Sequence, residues 1–424
     1  MLGAGHSGIA AARLAKAKGA KVTLFDSRAD ATFPNDLTGQ AGVTSEIAKS
    51  VVSDLVVLSP GIATNSDFVR AFVSCGAPLV GEIELASLFY PGRVVAITGT
   101  NGKTTTTELI SAFLNGGEIS CKPCGNYGVP FSEVALEESP PEAAALEVSS
   151  FQLETIKTFH PEVAVWMNFA PDHMDRYPDL ESYRAAKLRI FENLTANDVR
   201  VVRAGEGLSG ITFSAQSQAD YGLHSGKITK AGDALLDFTK SRLRGRHNAE
   251  NVMAAAAVAT HFGVNPAQMQ RSLEAYQPPA HRCELIRTIG DVEYVNDSKA
   301  TNIHALASAL ASQERPIVLL AGGKEKGLDY SSVPDLLRQH VLSCVTYGEI
   351  GNKLNLIFAE AVPVVTTSTL EEAVREAHRS APQGSMVLLS PGTSSFDQFK
   401  SYEARGDAFR QFVTALKEPT PTPL

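Results

Sequence analysis

The sequence predicts an α/β protein of three domains, each on a mostly parallel sheet: a Rossmann-like domain at either end and a P-loop ATPase-like domain between them. Three observations predict it. The chain has 424 residues, and about 150 residues per domain gives roughly three domains. Short apolar runs alternate with helical stretches of about 10–15 residues, the rhythm of parallel sheets with helical crossovers. Two glycine-rich turns, at 3–8 and 98–105, each open a helix, an arrangement that turns backbone N–H groups toward phosphate. The expected domains span residues 1–81, 82–278 and 279–424.

The elements follow in order. Gly3-Ala-Gly5-His-Ser-Gly8 opens a helix to about Lys18, then Lys21–Phe25 alternates as a strand ending at Asp26. Only Met1-Leu2 precede the glycine loop, where a dinucleotide-type fold needs a strand. The first strand is therefore expected to be nearly absent, and a start further upstream is the reading this suggests. Asp54–Ser59 is a strand closed by Pro60-Gly61, and Pro91-Gly92 punctuates the chain before the strand Val94–Ile97. The second glycine loop leads into a helix from Thr104 to about Leu114. Ala143–Val148 and Val163–Asn168 are buried strands, Leu180–Asn193 is helical, and Asn248–Phe262 is an alanine-rich helix closed by Gly263. Past Pro278-Pro279 the rhythm resumes with strands Glu293–Asn296, Pro316–Leu320, Cys344–Tyr347 and Met386–Leu389. The proline-rich tail from Lys417 is expected to fray.

Composition narrows the function. Lys and Arg number 38 against 46 Asp and Glu, a net charge of −8, which argues against the basic footprint of a nucleic-acid or anionic-membrane binder. No apolar run approaches the roughly 18 residues of a membrane span. The cations Arg13, Lys16 and Lys18 follow the N-terminal small-residue run instead of preceding it, unlike a signal peptide. Five cysteines, an odd number, fit a reducing cytoplasm better than a disulfide framework. Cys121 and Cys124 have C-x-x-C spacing, but no second pair completes a zinc site, and they read as unconnected thiols.

The loop Thr98-Gly-Thr-Asn-Gly-Lys-Thr-Thr105 carries the strongest chemistry. Lys103 is placed to neutralise phosphate oxygens and the Thr104 hydroxyl to ligate Mg²⁺, although the strict pattern wants glycine where Ile97 stands. Glu147 is a carboxylate inside an apolar strand, expensive unless paired or holding a cation, or else a strand-end residue reaching solvent. Asp172-His-Met-Asp175 places acids and a histidine after a strand, a second metal site or a polar loop. Lys187 reads by default as a solvated helix lysine. Asp26 falls at the spacing of a ribose-binding acid behind the first glycine loop, which is otherwise a structural turn. Asn296–Asn302, Gly322–Gly327 and Ser390–Ser395 each follow a strand. All three should line one sheet edge, and their Lys, Ser, Thr and Gly suit a small anion.

Together these features suggest ATP-driven joining of two substrates, and the sequence here resembles the Mur ligases and folylpolyglutamate synthetases. The likeness rests on the loop Ile97–Thr105 and, across the rest of the chain, on Leu146–Glu154, Pro171–Pro178, Tyr183–Lys187, Gly245–Asn248, His281-Arg282, Asn296–Asn302 and Ser395–Phe399. It points to the D-glutamate-adding branch; the block typical of the diaminopimelate- or lysine-adding branch is not found. The resemblance implies a cytoplasmic ATP-dependent ligase of peptidoglycan synthesis, and through it of cell shape and division. Its substrates are then UDP-N-acetylmuramoyl-L-alanine and D-glutamate, with two Mg²⁺ sites, a monomeric state, and no nucleic-acid partner or membrane insertion.

The resemblance also implies residue roles. Gly99, Thr100, Asn101, Gly102, Lys103, Thr104 and Thr105 hold the ATP phosphates, and Asn251, Arg282 and Asp297 contact its adenosine part. Thr104 and Glu147 serve one Mg²⁺; His173 and a carbamylated Lys187 serve the other. Lys103, Glu147, His173 and Lys187 are thereby the catalytic set. Gly5, His6, Ser7, Asp26, Ser27 and Gly61 hold the UDP end, with Asn126 and His173 nearer the sugar-peptide, and Thr301, Lys326, Ser395 and Tyr402 hold D-glutamate. Ala170 stands where the family often has a hydroxyl, Tyr402 where Phe is usual, and Ser390–Ser395 is a variant loop. Two rivals stay open: a nicotinamide-dependent oxidoreductase using the first loop, and a non-catalytic nucleotide-binding regulator.

Overall fold

A computed structural model describes residues 1–172, 176–278, 280–311, 313 and 315–417, the side chain of His304 excepted. The chain forms two compact units, Met1–Arg242 with His247–Tyr276, and Leu243–Arg246 with Gln277–Leu424.

At the start of the first unit, β1 (Thr23–Phe25) pairs in parallel with β2 (Thr38–Gln40), and β3 (Val56–Leu58) with β4 (Leu79–Gly81). Leu2 joins the two pairs, bridging in parallel to both Phe25 and Leu58. The Gly3 N–H donates to the Phe25 carbonyl and the Leu2 N–H to that of Val57, both at 2.8 Å. The central strand, expected to be nearly absent, is reduced to these bridges at Leu2, outside any regular strand. Beside it lies a cavity of about 650 Å³ lined by Met1, Leu2, Thr23, Val56 and Phe72 among others. The helix His6–Ala17 packs here through buried Ala10, Ala11, Ala12 and Leu14, small residues that let helix and sheet approach closely.

The larger sheet of this unit comprises β5 (Arg93–Thr98), β6 (Cys121–Gly125), β7 (Ala143–Glu147), β8 (Val163–Trp166), β9 (Val199–Arg203), β10 (Ile211–Ser214), β11 (Tyr221–His224), β12 (Lys227–Lys230) and β13 (Asp233–Asp237). Their order is β13-β12-β11-β10-β9-β8-β5-β7-β6. Pairing is parallel from β6 to β11, and β11–β12 and β12–β13 are antiparallel. The buried run Ala143–Leu146 has helices on both faces, which is why it reads as continuous apolar sequence. The sequence reading did not foresee β6 or the extension β9–β13. Pro123 and Lys122 interrupt β6, and the outer strands are half polar. The turns Ser225-Gly226 and Ala231-Gly232, all at positive φ, are hairpin signals that could have revealed β11–β13.

In the second unit, β14 (Glu284–Ile289), β15 (Val292–Asn296), β16 (Ile317–Gly322), β17 (Val341–Tyr347), β18 (Val364–Thr367) and β19 (Met386–Leu389) form one sheet. The order is β14-β15-β19-β16-β17-β18. All pairs are parallel except β14–β15. Apolar clusters cover both faces, one around Leu319, Tyr330 and Leu354, the other around Leu320, Val374 and Phe409. The five cysteines, Cys121 and Cys124 included, are free thiols.

Glu84, in the short helix Glu82–Ser87, pins a distant segment. Its buried carboxylate accepts hydrogen bonds from the N–H groups of Lys157, Thr158 and Phe159 and from the Thr158 hydroxyl, at 2.6–2.9 Å. Burial pushes the carboxyl up, but these donors together outweigh it and hold it below its ordinary value. A depressed carboxylate contributes stability above its unfolded pKa and loses it as pH falls through the folded value. Glu84→Ala is expected to lower unfolding free energy by about 3 kcal/mol at neutral pH. In urea titrations that gap should shrink below roughly pH 4; a pH-independent gap would contradict the assignment.

Candidate active site

The second glycine loop sits where β5 gives way to the helix Lys103–Gly116. β7 and β8 flank β5, so their carboxyl ends bring Glu147 and Asn168–Ala170 beside it. Ile97 lies within β5, paired with Glu147 and Val165: the strand runs on where the strict motif would already have begun to turn. Gly102 caps the helix at φ +81°, and a Cβ there would lie 2.4 Å from the Asn251 side-chain oxygen. Asn251 is thereby placed against the loop.

Asn168 was not foreseen. Its side-chain oxygen accepts from the Asn101 N–H at 2.8 Å, its amide donates to the Asn101 carbonyl at 3.1 Å, and its own carbonyl accepts from the Thr100 N–H at 3.0 Å. As the first polar residue past the apolar strand β8, it carried a legible signal.

Glu147 is 3% exposed and has two partners at its oxygens. The Thr104 hydroxyl donates to one at 2.7 Å and the Asn126 amide to the other at 2.8 Å. It is therefore an interior group and not a strand end reaching solvent. Hydroxyl and carboxylate are hard oxygen donors, and this sparse set suits Mg²⁺, which takes one or two protein oxygens and leaves other positions to phosphate and water. No group of three or more His, Cys, Asp or Glu able to hold a metal occurs among the described residues. His173 lies outside the described residues.

Lys187 departs from its default reading as a solvated lysine. It is 2% exposed, and its ammonium donates to the Gly99 carbonyl at 2.9 Å. The Lys103 ammonium donates to the same carbonyl and to that of Thr100, also at 2.9 Å. Burial, then the neighbouring Lys103 charge, push Lys187 down to about 7, against the pull of Asp172 and Glu147.

The first glycine loop lies at the carboxyl edge of the small sheet. Gly5 caps the helix that begins with His6 and Ser7, Asp26 and Ser27 follow β1, and Gly61 follows β3. The His6 ring lies 2.9 Å from the Glu133 carboxylate. The oxygens of Asp26 are engaged by the Ala4 N–H at 2.9 Å and by a two-pronged contact from Arg28 at 2.9 and 3.0 Å. Arg28 above all holds this carboxyl well below the usual range. Arg28, also unforeseen, is consequently the charged group that faces solvent there.

In the second unit, the loops after β15, β16 and β19 do share one edge. The Gly392 N–H donates to the Ala300 carbonyl and the Lys324 N–H to that of Ser394, both at 2.9 Å. The buried guanidinium of Arg405 donates to the Ser298 hydroxyl and carbonyl at 2.9 Å and to the Thr393 carbonyl at 3.1 Å. This third unforeseen residue ties the first and last loops together. Thr301, Lys326, Ser395 and Tyr402 belong to this cluster; the Lys326 ammonium reaches the Thr301 carbonyl at 3.5 Å, and the Tyr402 hydroxyl accepts from Lys299 at 2.8 Å. Asp297 accepts from Ser390 at 2.9 Å, and burial pushes its carboxyl up to about 7. Arg282 sits between His281 and Cys283, both at positive φ. The residues expected to contact adenosine are thus divided, Asn251 in the first unit and Arg282 and Asp297 in the second.

A glycine loop beside a buried carboxylate, with a separate loop edge rich in Lys, Ser and Thr, is what an ATP-using ligase would need, and comparison with known proteins identifies the family. Residues 97–259 match the Mur ligase middle domain and residues 281–393 the glutamate ligase domain of Mur ligases. The chain belongs to the Mur ligase family. It is 40% identical to UDP-N-acetylmuramoylalanine–D-glutamate ligase of Salinibacter ruber, covering 98% of this chain and 97% of that one. It is 38% identical to the protein of the same name from Koribacter versatilis, over 99% and 97%. Among solved structures, UDP-N-acetylmuramate–alanine ligase MurC of Thermotoga maritima superposes with a TM-score of 0.60 at 18% identity, covering 98% of each chain. MurF ligase of the same organism, in complex with ADP, gives 0.58 at 16% identity over 86% and 96%; these two likenesses concern the fold.

Lys187 offers a test of the site's electrostatics. Its folded pKa near 7 lies below that of an unfolded lysine. Between those values the unfolded chain binds more protons, so stability should rise with pH across that window. In CO₂-free buffer, wild type is expected to gain on Lys187→Met by up to about 1.4 kcal/mol per pH unit above pH 7. Parallel stability curves for the two would refute the burial argument.

Proposed function

We propose that this chain is an ATP-dependent ligase that adds D-glutamate to UDP-N-acetylmuramoyl-L-alanine in peptidoglycan precursor synthesis. The observation that carries this reading is the likeness to D-glutamate ligases along 98% of the chain. The phosphate loop, with Glu147 buried beside it, supports it. No helix among the described residues is long and apolar enough to cross a membrane; we read the enzyme as cytoplasmic and monomeric.

On this reading residues 1–81 bind the UDP end, 82–278 the ATP, and 279–424 the amino acid. Gly5, His6, Ser7, Asp26, Ser27 and Gly61 hold the nucleotide, with Arg28 beside them, and Asn126 and His173 the sugar-peptide. Gly99–Thr105 cradle the ATP phosphates, and Asn251, Arg282 and Asp297 take the adenosine. D-glutamate carries two carboxylates, which call for a cation and several donors; Lys326, Thr301, Ser395 and Tyr402 supply them.

A carboxylate is a poor electrophile. Its oxygen attacks the γ-phosphorus of ATP, the bond to the β-phosphate oxygen breaks, and ADP leaves an acyl phosphate. The D-glutamate amine attacks the acyl carbon, loses a proton, and phosphate departs as the amide forms. Lys103, released from the loop carbonyls, neutralises the transferring phosphoryl group. Mg²⁺ held by Thr104 and Glu147, and a second ion held by His173 with carbamylated Lys187, would offset repulsion between the γ-phosphate and the carboxylate. Neutral lysine is the form that adds CO₂, and the depressed pKa of Lys187 favours that form near neutrality.

Phosphate release should be measured with ATP, Mg²⁺ and UDP-N-acetylmuramoyl-L-alanine, adding D-glutamate, L-glutamate or neither. Release is expected with D-glutamate alone; an equal rate with L-glutamate would overturn the assigned specificity. No release by a folded, ATP-binding protein would favour the regulator. Lys103→Ala should lower turnover by at least roughly 100-fold, and near-normal turnover would remove Lys103 from its role.

A further inference from the structure

Glu154 and Arg176 lie in two segments that point to the family, yet the chemistry above gives neither a task. In the fold they meet. One Glu154 oxygen accepts from the Tyr177 hydroxyl at 2.6 Å; the other accepts from the Thr64 hydroxyl at 2.9 Å and from the Arg176 guanidinium at 3.2 Å. Arg176 also donates to the Pro60 carbonyl at 3.2 Å and reaches that of Ile62 at 3.5 Å. Its guanidinium lies over the Phe151 ring, 3.8 Å from the centroid. Both charged side chains are mostly buried, at 16% exposure each.

The knot joins segments with different tasks. Residues 60–64 follow β3 and carry Gly61 at the nucleotide edge. Glu154 closes the short helix Ser150–Leu153, just after Glu147. Arg176 and Tyr177 follow Asp172 in the loop after β8. A planar guanidinium with donors fixed in a fork can span two carbonyls and a carboxylate while lying flat on a ring, a geometry that the point charge of a lysine does not reproduce.

We propose that the Arg176–Glu154 pair is a positioning device that sets the span between the nucleotide edge at residues 60–64 and the Glu147 phosphate site, so that binding of the uridine end is converted into placement of the reacting carboxylate. This rests on the ligase reading. Binding energy from a remote part of a substrate raises turnover only if the protein between the two ends is rigid. Arg176 and Glu154 are positioning residues and touch no reacting atom.

The test compares UDP-N-acetylmuramoyl-L-alanine with the same molecule lacking uridine monophosphate, 1-phospho-N-acetylmuramoyl-L-alanine. The variants are Arg176→Met, Arg176→Lys and the milder Thr64→Val, which removes a single hydroxyl contact on the nucleotide side. With the full substrate, Arg176→Met should lose up to about 100-fold in kcat/KM, with a smaller loss in Thr64→Val and an intermediate one in Arg176→Lys, while the KM for ATP stays unchanged. On the truncated substrate each variant should match wild type, so the advantage conferred by uridine shrinks. Equal losses on both substrates would mean a merely structural role and overturn the proposal, as would an unchanged uridine advantage in Thr64→Val if Arg176→Met does not fold. Absence of wild-type turnover on the full substrate would instead strike the ligase reading itself.

Discussion

Glu147 imposes the constraint around which the phosphate site is arranged. An ionised carboxylate in an alanine-rich strand costs several kcal/mol unless its oxygens are hydrogen-bonded, and here Thr104 and Asn126 each engage one. Thr104 stands in the first turn of a helix, where the backbone dipole also favours negative charge. The glycine loop brings that helix end over the strand. The two nearby lysines donate to loop carbonyls and not to this carboxylate. Burial, then the Lys103 charge, bring Lys187 close to losing its proton, and the two loop carbonyls on Lys103 are partners that phosphate can replace with a stronger, charged one.

Other acids in the molecule meet the same cost differently. Asp26 sits under Arg28 and stays ionised. Glu84 stays ionised on three backbone donors and the Thr158 hydroxyl. Asp297 has a hydroxyl and a backbone N–H, too little to offset burial, and is pushed up toward neutrality. The acids fully satisfied within the fold hold loops in place, whereas Asp297 would be ionised more readily by a ligand that brings a donor or a positive charge.

Much of the fold was legible because parallel strands buried on both faces leave unbroken apolar runs, as at Ala143–Leu146 and Ile317–Leu320. The glycine loops were legible because close backbone approach admits few residues: at Gly102 a methyl group would strike Asn251. Direction was not legible. The segment Tyr183–Lys187 says that a helix carries a lysine, not that the lysine points inward, since that depends on which face the sheet covers. Asn168 and Arg405 share a second difficulty. Each binds atoms brought near it by strand order, and Arg405 lies more than a hundred residues from Ser298 in sequence. The outer strands β9–β13 were hidden because half-polar edge strands carry no apolar run, leaving only their turn residues as a signal.

Strand order also explains why both clusters are where they are. β5 lies between β7 and β8; the chain leaves β5 for β6 on one side and leaves β8 for β9 on the other, so the loops diverge to leave a crevice. In the second unit the strand between β15 and β16 is β19, the last in the chain. The loop Ser390–Ser395 therefore enters between two loops made much earlier, and the hydrogen bonds from Gly392 to Ala300 and from Lys324 to Ser394 form only when that strand is in place. The helix Tyr402–Ala415 follows and carries Arg405 into the same edge. Neither the sheet nor this loop edge can be complete without the C-terminal strand and helix. The cluster that would recognise the amino acid is thus a product of the whole unit's closure and not of any one loop.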